Sequence, residues 1–320
     1  MAEIVILDGY AVNPGDLSWD GIATQGHLTV YERTPADQIV ERIGSAEAIF
    51  TNKCLITAEV LDACPSVRFI GELATGYNNI DIDAARARDV CVSNIPAYST
   101  DSVVQMTFAL LLEACHHVGA HSDAVHAGEW SSCPDFCFWK FPLVELAGKT
   151  MGIIGFGRIG QGVARVARAF GMNVLAYGPR YKPEMDENGC RAASLDELFA
   201  NADVISLNCP LFPETKNLIR AENIAKMKDG AILINTARGA MINEADVRTA
   251  LDSGKLAYLC ADVAAAEPMP ADSPLLGAEN AILTPHIAWA PREARQRLMD
   301  TVVENLRAFQ AGAPVNVVNG

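Results

Sequence analysis

Basic residues are scarce in this chain of 320 residues. Its 25 lysines and arginines stand against 39 aspartates and glutamates, a formal net charge of −14 and a pI near 4.8. A field of that sign repels phosphate backbones and anionic lipid, so no nucleic-acid or membrane partner is expected. A small anionic substrate stays compatible with it, provided a local cation holds the anion. Long hydrophobic runs are missing as well: no stretch approaches the roughly 18 apolar residues that a membrane span needs. The opening MAEIVILDGY has no basic leader and reads as a first strand, so a cytoplasmic protein is expected.

Metal and disulfide patterns are absent too. The nine cysteines are odd in number and scattered, which describes reduced thiols and not a disulfide framework. Cys133 and Cys137 lack the second pair of a zinc site, and His117 and His121 lack the glutamate of a metalloprotease helix. With His116 and His126 they are expected to decorate one exposed helix, and no metal is expected. The chain has no G-x-S-x-G elbow and no Walker A lysine.

What is present is alternation. Half the residues are hydrophobic and a fifth charged, the balance of a soluble globular protein, at a length comfortable for two domains. EIVILD, EAIF, VRFIGE and DVCVSN are strand-like runs in the first hundred residues. MGIIGF, NVLAYG, ADVISLN, GAILINT, LAYLCADV and AILTPH are six more between 151 and 286, with helical patterns between them. Such alternation predicts parallel sheets with crossover helices.

In GIIGFGRIG, Gly155, Gly157 and Gly160 form G-x-G-x-x-G between a strand and the helix IGQGVARVARAF. The first glycine permits a tight turn, the second lets amides approach a pyrophosphate, and the third lets helix and strand pack closely. This fingerprint lies mid-chain. The expected fold is therefore α/β with two doubly wound parallel-sheet domains. A Rossmann cofactor domain, residues 100–287, is inserted into a smaller flavodoxin-like substrate domain, residues 1–99 plus 288–320. Ser102 and Gln105 suggest a capping box opening a long, mostly buried helix. Residues 121–147 fit neither period and carry two tryptophans and three phenylalanines, an aromatic arm expected to pair two copies as a homodimer.

Three polar residues close strands of the second sheet. Arg238 follows GAILINTA, where a guanidinium could fork onto a carboxylate. His286 ends AILTPH, and Glu267, nineteen residues earlier, could raise and orient an imidazole as a general acid. Ligands of open parallel sheets sit outside the carboxyl ends of strands, where all three loops and the glycine turn converge.

Together LATGYNNID, GIIGFGRIG, NTARGA, ADVAAAEP and TPHIAW, over nearly the whole chain and in order, resemble the D-isomer-specific 2-hydroxyacid dehydrogenase family. Details such as GEWSSCPDFCFW are similar to its glycerate dehydrogenase/hydroxypyruvate reductase branch. The resemblance implies that Arg238, Glu267 and His286 are catalytic and that Ala74, Thr75 and Gly76 hold the substrate carboxylate with Arg238. It places pyrophosphate contacts on Arg158 and Ile159 and a nicotinamide-amide contact on Asp262. Other cofactor contacts fall on Cys209, Pro210, Thr215, Thr236, Ala237 and His286. The implied reaction reduces a small 2-oxoacid in an interdomain cleft: hydride goes to C2 while His286 protonates the developing alkoxide. Hydroxypyruvate or glyoxylate is favoured, with pyruvate or a bulkier 2-oxoacid open. The fold and triad also resemble dinucleotide-sensing corepressors, but no extended tails of that kind are expected here.

One departure concerns the nucleotide. Many family members keep an aspartate after the second strand to hold the ribose 2′-hydroxyl; here NVLAYGPRYKP puts Gly178 there, with Arg180 and Lys182 beyond. Loss of the acid removes repulsion of a 2′-phosphate, so NADP is favoured over NAD. The bland alternative is that Gly178 serves the turn before Pro179 and that Arg180 is solvated.

Overall fold

The computed structural model describes residues 2–178 and 189–320, so Arg180 and Lys182 lie outside the described residues. The chain divides into two compact units, Met1–Ser99 with Trp289–Gly320, and Thr100–Ala288.

The first unit holds a five-stranded parallel sheet: β1 (Ala2–Ile6), β2 (Gly26–Val30), β3 (Ala48–Thr51), β4 (Phe69–Glu72) and β5 (Cys91–Ser93), ordered β2-β1-β3-β4-β5. Short helices α1 (Asp20–Ala23), α2 (Ile39–Ile43), α3 (Ala58–Ala63) and α4 (Ile82–Arg86) connect the strands. Thr57 and Asp81 cap α3 and α4 by accepting from the amides of Val60 and Ala84. Ile49, Ile70 and Val92 pack on Leu61 and Ala85 on one face. On the other, Phe50, Phe69 and Leu73 pack on Leu298, Val302 and Leu306 of the closing helix, Arg292–Gln310.

The second unit opens with α5 (Thr100–His116) and α6 (Val118–His126). Its seven parallel strands are β6 (Thr150–Ile154), β7 (Asn173–Tyr177), β8 (Cys190–Ala192), β9 (Val204–Leu207), β10 (Ala231–Asn235), β11 (Leu256–Ala261) and β12 (Ala281–Leu283). Between them run α7 (Arg158–Ala169), α8 (Leu195–Asn201), α9 (Ala221–Ile224) and α10 (Glu244–Asp252); Arg292–Gln310 of the first unit is α11. The order β12-β11-β10-β9-β6-β7-β8 places the reversal of winding between β6 and β9. The fully buried strands β9 and β10 carry Ile205, Leu207, Leu233 and Ile234 into cores on both faces.

Three sequence expectations are corrected. The helix carrying Ser102 begins at Thr100, so Ser102 is a buried helical residue and not the cap. The histidines do not decorate one exposed helix. The chain breaks at His117, which adopts a left-handed backbone at φ 49°. Its ring is buried, lies tilted against Phe141 with ring centroids 4.4 Å apart and lies 2.9 Å from the Tyr258 hydroxyl. That burial pushes the His117 pKa down. The arm, too, is not wholly irregular, since α6 takes its first residues.

After α6 the arm is held by its own polar groups: Trp130 Nε1 donates to the Phe136 carbonyl, and Lys140 pairs with Glu129 at 2.5 Å. Several of its apolar side chains stay outside, with Phe136 89% and Trp139 66% exposed. Trp139, Phe138, Leu143, Val118 and Val125 line an open groove of about 510 Å³. Among the described residues, no single helix is long and apolar enough to cross a membrane, and no cluster of side chains could hold a metal ion.

Candidate active site

At the reversal of winding, β6 runs into Gly155, whose φ of +99° is open to glycine. A Cβ there would lie 2.5 Å from the Cys209 amide nitrogen, so the turn is pressed against the loop leaving β9. A Cβ on Gly160 would meet the Gly155 carbonyl at 2.1 Å, whereas one on Gly157 would point into open space. Gly157 starts the 12-residue α7 with no side-chain cap, unlike α8 and α10, capped by Ser194 and Asn243. The exposed first turn carrying Arg158 and Ile159 thus offers amides and the positive end of a helix dipole to an anion.

The flanking loops complete a cradle. Gly155 donates its amide to the Tyr177 carbonyl, which sets Gly178 next to the glycine turn. Thr215 closes the loop after β9, donating to the Pro210 carbonyl and accepting from the Phe212 amide. Burial pushes the Cys209 thiol up to about 11, so it is a neutral lining group. Asn208 Oδ1, beside this turn, is buried without a partner among the described residues. An uncapped helix start, an open Gly157 and an orphan acceptor are what a dinucleotide would satisfy.

The polar residues follow three adjacent strands. After β10, the Asn235 side chain accepts from the Ala237 amide and donates to the Arg238 carbonyl, bending the chain so that Arg238 stands exposed at the sheet edge. Arg238 Nη1 donates to the Ala237 carbonyl at 2.7 Å, and the guanidinium has no ion pair among the described residues. Thr236 is buried with its hydroxyl 3.2 Å from that of Thr107 on α5. Gly239 then presses on the next loop: a Cβ would lie 1.9 Å from the Ala264 carbonyl.

After β11, Glu267 Oε1 accepts from the Ala264 amide and Oε2 lies 2.7 Å from His286 Nδ1. The two side chains are 37% and 31% exposed, so the pair faces solvent from a partly sheltered position. His286 itself is left-handed at φ 55°, a strained conformation for a histidine. Asp262 over-determines it. This fully buried carboxylate accepts from the Thr284 hydroxyl and from the amides of Ile287 and Ala288, at 2.6, 2.9 and 2.7 Å. The hydrogen-bonded glutamate takes Nδ1, which leaves Nε2 as the nitrogen able to exchange a proton with a ligand.

The first unit contributes a separate constellation at its own sheet edge. In the turn after β4, the Ala74 carbonyl accepts from the Ile95 amide, and the Thr75 carbonyl from Asn94 Nδ2. The Thr75 hydroxyl is spent on the Ile95 carbonyl. Among the described residues no hydrogen bond occupies the amides of Thr75 and Gly76. Carbonyls tied back and amides left open make a turn suited to an anion.

Sequence reasoning named Asp262 only as a cofactor contact and missed that it clamps the His286 segment. It also passed over Asn235, although an asparagine closing a strand is a known turn former. Glu244 was missed as well; its carboxylate accepts from Ala265 and Ser273 and so braces the Glu267 loop.

Known proteins place this arrangement. Residues 108–288 match the model described as D-isomer specific 2-hydroxyacid dehydrogenase, NAD binding domain. The chain is 53% identical to a hydroxypyruvate reductase of Blautia hydrogenotrophica over 99% of both chains. It is 39% identical to a glycerate dehydrogenase of Methylorubrum extorquens over 90% of each. The TT0316 protein of Thermus thermophilus superposes with a TM-score of 0.86 at 34% identity, covering 99% of both chains. With an NAD-binding domain that spans more than half its length and relatives this close over 90% or more of theirs, the chain is an oxidoreductase that belongs to the D-isomer-specific 2-hydroxyacid dehydrogenase family.

Proposed function

We propose that the enzyme reduces hydroxypyruvate, with glyoxylate as the next best substrate, to the corresponding D-2-hydroxyacid. The observation that carries this is the Glu267–His286 pair, on loops that leave the same sheet edge as Arg238, which has no ion pair among the described residues, in a chain so similar to a hydroxypyruvate reductase. The dinucleotide, when bound, supplies the hydride. Arg158 and Ile159, with the glycine turn, would hold its pyrophosphate, and Cys209, Pro210, Thr215, Thr236, Ala237 and Asp262 would supply its other contacts.

Arg238 forks onto the substrate carboxylate and polarises the C2 carbonyl. The open amides of Thr75 and Gly76, with Ala74, are assigned to carboxylate binding as well. His286 Nε2 gives its proton to the C2 oxygen as charge develops there. Glu267 at Nδ1 fixes the ring and stabilises its charged form. A corepressor-like binding role is not favoured, because it leaves the acid–imidazole pair without a task.

The reading extends to the cofactor, the assembly and the compartment. Gly178 in place of an acid supports NADP over NAD. Exposed Trp139 and Phe136 beside an apolar groove support a homodimer, which light scattering at micromolar concentration checks; a pure monomer contradicts it. Nine free cysteines support a reducing, cytoplasmic setting, and the net charge of −14 supports a reading without nucleic-acid or membrane-surface partners. Steady-state assays of hydroxypyruvate, glyoxylate, pyruvate and a bulkier 2-oxoacid with NADH and NADPH test the whole. The highest kcat/KM should fall on hydroxypyruvate with NADPH, and no turnover of any of the four would sink the reading.

A further inference from the structure

Glu72 ends β4 two residues before the turn 74–76. It is an acid fully buried in a strand whose neighbours Phe69 and Ile70 belong to the core. Its Oε2 accepts from Asn79 Nδ2 at 3.0 Å, and Oε1 is buried with no partner among the described residues. Asn79 also donates to the Cys54 carbonyl, while Asn52 Nδ2 donates to the Leu73 carbonyl at 2.9 Å. The turn is thus tied at both ends to the loop after β3. That loop is in turn fixed by Asp8, whose carboxylate accepts from the amides of Asn52, Lys53 and Cys54.

We infer that Glu72 is a positioning residue for the proposed reaction, acting through Asn79 to set the turn whose amides receive the substrate carboxylate. The inference rests on the assignment of Thr75 and Gly76 made above. A carboxylate in this place would hold a negative charge behind amides that must attract one, so the residue serves only in its protonated form. Burial supplies that form by pushing the Glu72 pKa up to about 9. The charged groups that face it are Asp8, which raises the pKa further, and Lys53, which lowers it. The Cys54 thiol, pushed up to about 12, stays neutral. Among the described residues the other elements around β4 bring no charge to it: β3 offers Thr51, β5 offers Val92 and Ser93, and the helices on its two faces offer Leu61, Ala85, Leu298 and Val302. Oε1 is the oxygen left to carry the proton, and Oε2 keeps Asn79.

The test is the pH profile of hydroxypyruvate reduction from pH 6.5 to 10, with KM and kcat separated, in wild type, Glu72→Gln and Asn79→Ala. In wild type, ionisation of Glu72 should raise the KM for hydroxypyruvate by about tenfold per pH unit above about 9, with the KM for the nicotinamide cofactor unmoved. Glu72→Gln, which cannot ionise, should lose that alkaline rise in the substrate KM. Asn79→Ala should raise the substrate KM about tenfold at pH 7 with little change in kcat, as the turn loses its part-buried bonds to Glu72 and to the Cys54 carbonyl. An alkaline KM limb retained in Glu72→Gln overturns the inference and leaves the proposed function standing. An unchanged substrate KM in Asn79→Ala does the same, and it decides the matter alone if the glutamine variant does not fold. A wild type without 2-oxoacid turnover overturns both.

Discussion

Replacing Glu72 by glutamine should change how the stability of the first unit depends on pH. Burial lifts this acid from 4.5 to about 9, so between those values the native state keeps a proton that the unfolded chain has released. Unfolding is then favoured as pH rises, by about 1.4 kcal/mol per pH unit. Relative to acid conditions, the wild type gives up about 3 kcal/mol by pH 7 and about 6 kcal/mol by pH 9. The contribution of Glu72 is fully present below about pH 4.5 and is lost progressively toward pH 9. Glutamine abolishes this dependence, although its amide nitrogen has no evident acceptor and costs about 1–3 kcal/mol at every pH. The diagnostic is therefore a slope. Urea unfolding at pH 5, 6, 7 and 8, followed by circular dichroism, should show the stability difference, variant minus wild type, growing by about 1.4 kcal/mol per unit. Parallel curves for the two proteins would mean that Glu72 is ionised in the fold and would refute the reasoning.

Three further outcomes follow from the geometry. Gly155→Ala sets a Cβ 2.5 Å from a backbone nitrogen at φ +99°, so it should cost about 2–4 kcal/mol and weaken cofactor binding more than tenfold, read by thermal unfolding and fluorescence titration. Arg238→Lys should fold normally yet lose kcat/KM by about a hundredfold, because a point charge cannot fork onto a carboxylate; near wild-type kinetics would remove Arg238 from the site. Gly178→Asp should move the ratio of kcat/KM for NADPH over NADH toward NADH by at least about tenfold, and an unchanged ratio would show that this position does not choose the cofactor.

Periodicity made ten strands legible, and the two it missed are both sheet edges. β2 and β8 pair on one side only, and each keeps a single fully buried residue, so neither needs an apolar run. The central strands β9 and β10 are buried throughout and announce themselves as mostly hydrophobic stretches, with Ser206 and Asn235 their polar members. The break at His117 was hidden for a different reason. Apolar residues continue across it, and the stop comes from a ring packed against Phe141 and bonded to Tyr258, contacts distant in sequence.

In the candidate site, residues with mobile charge could be named because chemistry selects them by type. The residues that aim them could not. Asp262 clamps the His286 segment across more than twenty positions, and Glu244 braces the Glu267 loop from another helix. Glu72 did leave a signal, an acid closing the strand-like run VRFIG, but its partner Asn79 is set by the turn between them and by bonds to Cys54 and Ile56.

The central claim is that His286 delivers the proton in 2-oxoacid reduction, and one measurement bears on it most directly. Single-turnover reduction of hydroxypyruvate, with cofactor prebound, should be slowed by about 10²–10⁴-fold in His286→Ala while the affinity for the cofactor stays within a few fold of wild type. A variant that keeps more than about a tenth of the wild-type rate would contradict the account.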